Sequence, residues 1–174
     1  GIKETRYKLD GGAENVYSAP FQVAKEGTTT IDFWSKDYKN IENTNTDTLK
    51  IDTKVPTGAT FSIKNNDVYS NSLSVTLYMA ATDTTSLVNK MQFQNQGGSW
   101  SSWENFAATK SYSLPGPDGT NTVSCKIKDT AGNEASTLTD SIILDRIAPN
   151  QLSIKINDDA QYSNSVSVNL SLGA

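Results

Sequence analysis

The sequence predicts an all-β fold, a tandem β-sandwich with one complete unit flanked by two complementary partial units. Three observations predict it. Apolar and polar residues alternate with period two in short runs along the whole chain. Turn-forming segments such as "NND", "GG", "PGPDG" and "TAGN" separate those runs. The chain also matches itself at a fixed spacing, the signature of a repeat architecture.

The repeat sets the organisation. A shift of 93 positions aligns residues 51–81 with 144–174 without a gap, and 11 of the 31 pairs are identical, among them Asp52/Asp145, Pro56/Pro149, Tyr69/Tyr162, Asn71/Asn164, Val75/Val168 and Leu77/Leu170. "GIKETRYKLDGG" matches "LVNKMQFQNQGG" at a shift of 86, and "IDFWSKD" matches "VSCKIKD" at a shift of 92. The earlier unit is therefore shorter, and the missing residues are expected around Lys25–Gly27, opposite "LPGPDG". Residues 1–53 read as the back part of a unit, 54–147 as a complete unit, and 148–174 as the first two strands of another.

Each element follows from its alternation. Tyr7 and Leu9, then Ile31 and Phe33, then Leu49 and Ile51 mark three strands in the first part. "ATFSIK" places Phe61 and Ile63 inward, and "SLSVTLYM" places Leu73, Val75, Leu77 and Met79 inward. "KMQFQN" follows with Met91 and Phe93, then a seventh, weaker strand around Trp103–Phe106. "KSYSL" supplies Tyr112 and Leu114, "TVSCKIKD" supplies Val123, Cys125 and Ile127, and "SIILD" supplies Ile142 and Leu144. Seven short strands in about 93 residues fit a sandwich of immunoglobulin or fibronectin type. No segment carries a helical stripe.

"GIKETRYKLDGG", "EGTTTIDFWSKDYKNIE", "MQFQNQGGSWSSWENFAATKSYSLPGPDGTNTVSCKIKDTAGNEAS" and "YSNSLSVTLYMAATD" resemble the tandem Ig-like, fibronectin type III-like repeats of secreted and surface proteins of prokaryotes. The resemblance covers essentially the whole chain. It implies an extracellular or cell-surface location and a role as spacer, stalk, adhesive surface or filament building block, with a surface glycan or a host protein as a further class of partner.

Composition narrows the function classes. The chain has no His, one Cys and a formal charge of −4. Without His the usual general base and the commonest metal ligand are missing. The lone Cys125 cannot form an internal disulfide. No basic cluster is present to follow a phosphate backbone, so nucleic acid is not an expected partner. No apolar run is long enough to span a bilayer, so no membrane insertion is expected. Gly1 does not begin a signal peptide, and the absent initiator Met fits a processed chain or an excerpt of a longer one. Neither a catalytic residue nor a cofactor or metal is assigned.

Individual candidates divide between structural and binding roles. Trp100 and Trp103 in "GGSWSSWENF" could stack on a sugar ring, giving a glycan contact, although a packing role at the core's edge is the stronger reading. Asp129 and Asn133 in "DTAGN", with Asp83 and Asp145, offer oxygen ligands of the kind calcium takes, yet Asp and Asn at a strand end more often bind their own turn. Cys125 reads as core filler. Asn169 opens an Asn-Leu-Ser sequon. Trp34 is expected to stand exposed beside inward Phe33.

The partial units carry the functional expectation. In 148–174, the side chains of Ile154, Ile156, Val166, Val168, Leu170 and Leu172 need cover, and burying each contributes about 1.5–3 kcal/mol. The 1–53 part, with Tyr7, Ile31, Phe33 and Trp34, would expose an unpaired edge. The short connectors "DTKVPTG" and "DRIAPNQ" disfavour folding one onto the other within a chain. Strand complementation between chains joins them instead. Because donor and acceptor surfaces differ, self-association is expected to give an open head-to-tail polymer.

Overall fold

The computed structural model describes residues 1–173; Ala174, at the end of the 148–174 unit, lies outside them. Along the chain run β1 (Glu4–Leu9), β2 (Asn15–Val16), β3 (Gly27–Lys36), β4 (Asn45–Ile51), β5 (Thr57–Ile63), β6 (Tyr69–Ser70), β7 (Ser74–Thr82), β8 (Val88–Asn95), β9 (Glu104–Asn105), β10 (Thr109–Ser113), β11 (Gly119–Asp129), β12 (Leu138–Leu144), β13 (Ser153–Ile156) and β14 (Leu170–Gly173). Two three-residue 3-10 turns complete the regular structure, and no helix of the described residues is long and apolar enough to cross a membrane.

Residues 57–144 form two sheets, β10-β7-β5 and β6-β12-β11-β8-β9, packed face to face. The alternation read from the sequence builds the core between them. β7 buries Val75, Leu77 and Met79, while β11 buries Val123, Cys125 and Ile127. Ile63, Met91, Phe93, Leu114, Ile142 and Leu144 complete the cluster. The weak strand near Trp103 is β9, which pairs with β8 through Met91 and Glu104. That pairing settles the wiring. The immunoglobulin constant arrangement puts four strands in the sheet that holds the first strand; here β9 joins the opposite sheet, leaving three, which is the fibronectin type III arrangement.

Residues 4–51 form one sheet in the order β2-β1-β3-β4, the same order as β9-β8-β11-β12. The registers of β1-β3-β4 agree residue for residue with those of β8-β11-β12, whereas β2 pairs with Arg6 and Tyr7 and β9 with Lys90 and Met91, which are not equivalent positions. Phe33 lies between Tyr7 and Asn45 as Cys125 lies between Phe93 and Leu138. Gly27 and Gly119 open β3 and β11 at φ 92° and 116°, a region that favours glycine. The side-chain packing moves the expected deletion. Tyr7 stacks on Phe21 with centroids 4.4 Å apart, the counterpart of Phe93 against Tyr112 at 5.8 Å. Phe21 therefore corresponds to Tyr112, and most of the missing residues fall between Gly12 and Phe21 rather than at Lys25–Gly27.

Residues 153–173 hold a single hairpin, β13-β14, which pairs Ile154 with Leu172 and Ile156 with Leu170. Its template is β5-β7, where Phe61 faces Met79 and Ile63 faces Leu77. Even the turn is copied: Lys64–Asn66 and Asn157–Asp159 both run at positive φ of 46°, 55–56° and 67°. Asn and Asp tolerate that region because their side chains bond the local backbone.

Candidate assembly interface

In the middle sandwich the β5-β7 pair covers the inner face of β8-β11-β12. Apolar contact is joined by polar ties between the sheets: the Tyr112 hydroxyl donates to Asn95 Oδ1 at 2.9 Å, Lys110 pairs with Glu104 at 2.8 Å, and Ile63 N–H donates to Asp140 Oδ2 at 2.7 Å, while Asp140 Oδ1 accepts the Ser141 N–H at 2.8 Å. Asp140 pairs with Val123 across β12-β11 and fixes where the opposite sheet sits.

The 4–51 sheet presents the equivalent inner face without a facing sheet among the described residues. Phe33, whose counterpart Cys125 is fully buried, is 40% exposed, and Leu49, the counterpart of buried Ile142, is 39% exposed. Tyr7 and Ile31 are half-buried. Asp47 occupies the place of Asp140; its Oδ1 accepts the Thr48 N–H at 2.7 Å. Trp34, expected to stand exposed, is half-buried, and the Lys8 ammonium lies 5.5 Å from its ring centroid.

The hairpin at 153–173 is the converse. Leu170 is 60% exposed where Leu77 is fully buried, and Ile154, Ile156, Val166, Val168 and Leu172 are exposed as well. A row of apolar side chains on one strand face is what a sandwich half presents when its partner sheet is elsewhere.

The remaining candidates resolve into local roles. Asp129 is buried; its Oδ1 accepts the N–H groups of Gly132 (2.7 Å) and Asn133 (2.9 Å), the turn role weighed for "DTAGN". Asn133 Nδ2 donates both to Asp129 Oδ2 and to the Asp52 carbonyl at 3.1 Å, tying the connector to the sandwich. Asp83 Oδ1 accepts three N–H groups, from Thr85, Ser86 and Leu87. Asp52, Asp83 and Asp129 bring one carboxylate oxygen each within 4.8 Å of the others, so these are the residues able to hold an oxygen-seeking cation. Asp145 is not among them; its Oδ1 accepts the Ile147 N–H at 3.1 Å, just as Asp52 Oδ1 accepts that of Lys54 at 3.0 Å. The Ser86 hydroxyl and the Lys54 N–H hold the Asp52 carboxyl below its ordinary range.

Trp100 and Trp103 lie half-buried across the outer face of β11. The Lys126 ammonium lies 5.2 Å from the Trp100 ring centroid, and that of Lys128 lies 4.2 Å from Trp103. A sugar ring stacking on those faces would first have to displace both cations. Cys125 is fully buried, and burial pushes its thiol up to about 12. Asn169 is exposed.

Three residues of this surface escaped sequence reading: Phe21, Asp47 and Asp140. The Asp pair was detectable, because "NTDTLKI" (45–51) and "LTDSIIL" (138–144) share the Thr-Asp step at the same shift of 93. Phe21 was hidden by the deletion beside it.

Together the strand order and packing define a β-sandwich chain of the fibronectin III-like type. Among solved structures it is similar to the fibronectin(III)-like modules of Clostridium thermocellum CbhA, at 12% identity over 82% of this chain and 78% of that one, with a TM-score of 0.41. It is also similar to the BSP domain of a biofilm-associated protein, at 19% identity over 86% of this chain and 26% of that one, with a TM-score of 0.34. A third likeness is to the central fibronectin-III array of RIM-binding protein, at 11% identity over 98% and 67% of the two chains, with a TM-score of 0.34. No family model matches the chain, and no curated protein does.

Proposed function

We propose that this chain is a non-catalytic, extracellular structural module that assembles head-to-tail into a filament or surface array by β-strand complementation. The observation carrying the reading is the pair of open faces. The 4–51 sheet has the strand order of β9-β8-β11-β12, and in β1-β3-β4 the register of β8-β11-β12, without its cover, and the 153–173 hairpin has the register of β5-β7 without its base. Each face lacks what the other carries. Covering six aliphatic side chains contributes roughly 10 kcal/mol before ordering costs, enough to drive association. The surface location rests on the resemblance of the repeats to those of secreted arrays.

Concentration-dependent light scattering with negative-stain imaging tests the reading. Filaments that shorten when a synthetic 148–174 peptide is added in excess are the expected outcome. A monodisperse 18.8 kDa species at all concentrations would defeat it. If the chain is instead one span of a longer stalk or adhesin, the two faces are covered by neighbouring repeats of the same polypeptide, and a mass for the native protein well above 18.8 kDa identifies that case.

A further inference from the structure

We propose that Asp52, Asp83 and Asp129 together bind one calcium ion, which clamps the connector leaving β4 onto the middle sandwich. The site is independent of what covers the open faces, because its residues belong to that connector and to the complete unit.

The three carboxylates come from separate loops. Asp52 opens the connector "DTKVPTG", Asp83 follows β7, and Asp129 ends β11. One oxygen of each lies within 4.8 Å of the others. That span is twice a calcium–oxygen bond of about 2.4 Å, so a single ion can touch all three. Backbone N–H groups already orient each carboxylate: Lys54 for Asp52, the Thr85–Leu87 loop for Asp83, and Gly132 and Asn133 for Asp129.

No side chain among the described residues balances this charge. Carboxylates so close repel one another, and burying one without an opposite charge is costly. The ion pairs made by Lys and Arg reach none of the three, and Lys50, which lines the cavity beside Asp52, makes no such pair. A second observation points to a ligand. Asp52 Oδ2 is shut off from solvent and meets no hydrogen-bond donor, whereas buried polar atoms are nearly always paired. Ser86, beside it, favours the ionised form without reaching Oδ2 in bonding geometry. An orphaned, buried oxygen next to two further carboxylates has the surroundings of a metal ligand.

The donor set selects the ion. It is oxygen only, in a chain without His, which suits a hard cation. Carboxylates supplied by three loops fit the flexible shell of calcium better than the near-octahedral one that magnesium demands. The cavity lined by Asp52, Thr85, Ser86, Thr130 and Ala131 has room for waters to complete that shell. The other connector provides an internal control. Asp145 copies Asp52 and accepts the Ile147 N–H as Asp52 accepts that of Lys54, yet it belongs to no such carboxylate cluster among the described residues.

Calorimetric titration of the chelator-treated chain with calcium chloride tests the site, and trypsin tests the clamp. Wild type should bind one calcium per chain. Asp52→Asn keeps an Oδ1 acceptor for the Lys54 N–H, and it and Asp83→Asn should each weaken binding about tenfold or more through the lost ligand charge. Asp145→Asn should leave binding unchanged. Calcium should slow tryptic cleavage after exposed Lys54 about tenfold, by lowering the population of the opened connector, and should not slow cleavage after Arg146. Circular dichroism checks that each variant keeps its β fold, and either variant alone is a sufficient test. No binding up to about 10 mM calcium, beyond the range of extracellular calcium modules, would overturn the site. Binding that survives both substitutions would put the ion elsewhere and overturn it equally. Magnesium bound as tightly would overturn the choice of ion, and calcium binding without protection of Lys54 would overturn the clamp.

Discussion

Asp140, Asp47 and Cys125 carry the information of single side chains here. Asp140 sits on a core-facing strand and spends one oxygen on its neighbour and the other on the facing sheet, so its charge is held by two N–H groups rather than by a cation. Asp47 repeats the residue and half of the bonding. Cys125 is held as a neutral thiol, because its burial among Phe93, Ile127 and their neighbours penalises the thiolate. The sign of its pH effect follows. The folded thiol ionises near 12 and the unfolded one near its ordinary 9.0, so the folded state loses ground as pH rises from 9 toward 12, by about 1.4 kcal/mol per pH unit within that window. Below pH 9 the thiol contributes no pH dependence. Chemical denaturation of wild type and Cys125→Val between pH 8 and 11 should give curves that diverge above pH 9, with wild type falling faster. Parallel curves would refute the burial argument.

At the scale of elements, the repeat provides an internal control in which one strand is written twice and buried once. β7 and its copy at 167–173 share Ser, Val and Leu at matching positions, yet Leu77 is fully buried and Leu170 is mostly exposed. Leu77→Ala should lower the stability of the middle sandwich by about 2–5 kcal/mol, the usual cost of a core cavity. Leu170→Ala should leave that stability within about 0.5 kcal/mol, as surface changes do, and should weaken association between chains instead. Urea titration at low protein concentration separates the two. A large loss of middle-unit stability from Leu170→Ala would mean that its hairpin packs on its own sandwich. The connectors behave as repeated elements too, since Asp52 and Asp145 each accept the N–H two residues on, which fixes the turn leaving β4 and β12.

For the whole molecule, the stretches differ in how much core they own. The 57–144 sandwich encloses a continuous buried cluster, whereas the apolar face of the 4–51 sheet is only partly covered and that of the 153–173 hairpin lies in solvent. Stability that comes from association rises with concentration by mass action. Calorimetry should therefore resolve a transition of the middle sandwich at a fixed temperature and another, from the outer parts, that moves upward as protein concentration is raised. Two transitions that both ignore concentration would contradict completion by a second molecule.

The all-β class, the repeat, the inward residues of the middle strands and the turn role of "DTAGN" are all legible in the residues alone. Each of those follows from local alternation, local turn chemistry or the match of one stretch with another, and such signals survive without knowing what lies opposite. Tertiary structure alone decided the fibronectin wiring, the equivalence of Phe21 with Tyr112, the half-covered state of Trp34 and the inter-sheet role of Asp140. The reason is that period-two alternation fixes which way a side chain points but not what it meets. Phe33 and Cys125 carry the same inward signal, and only the presence or absence of a facing sheet makes one exposed and the other buried.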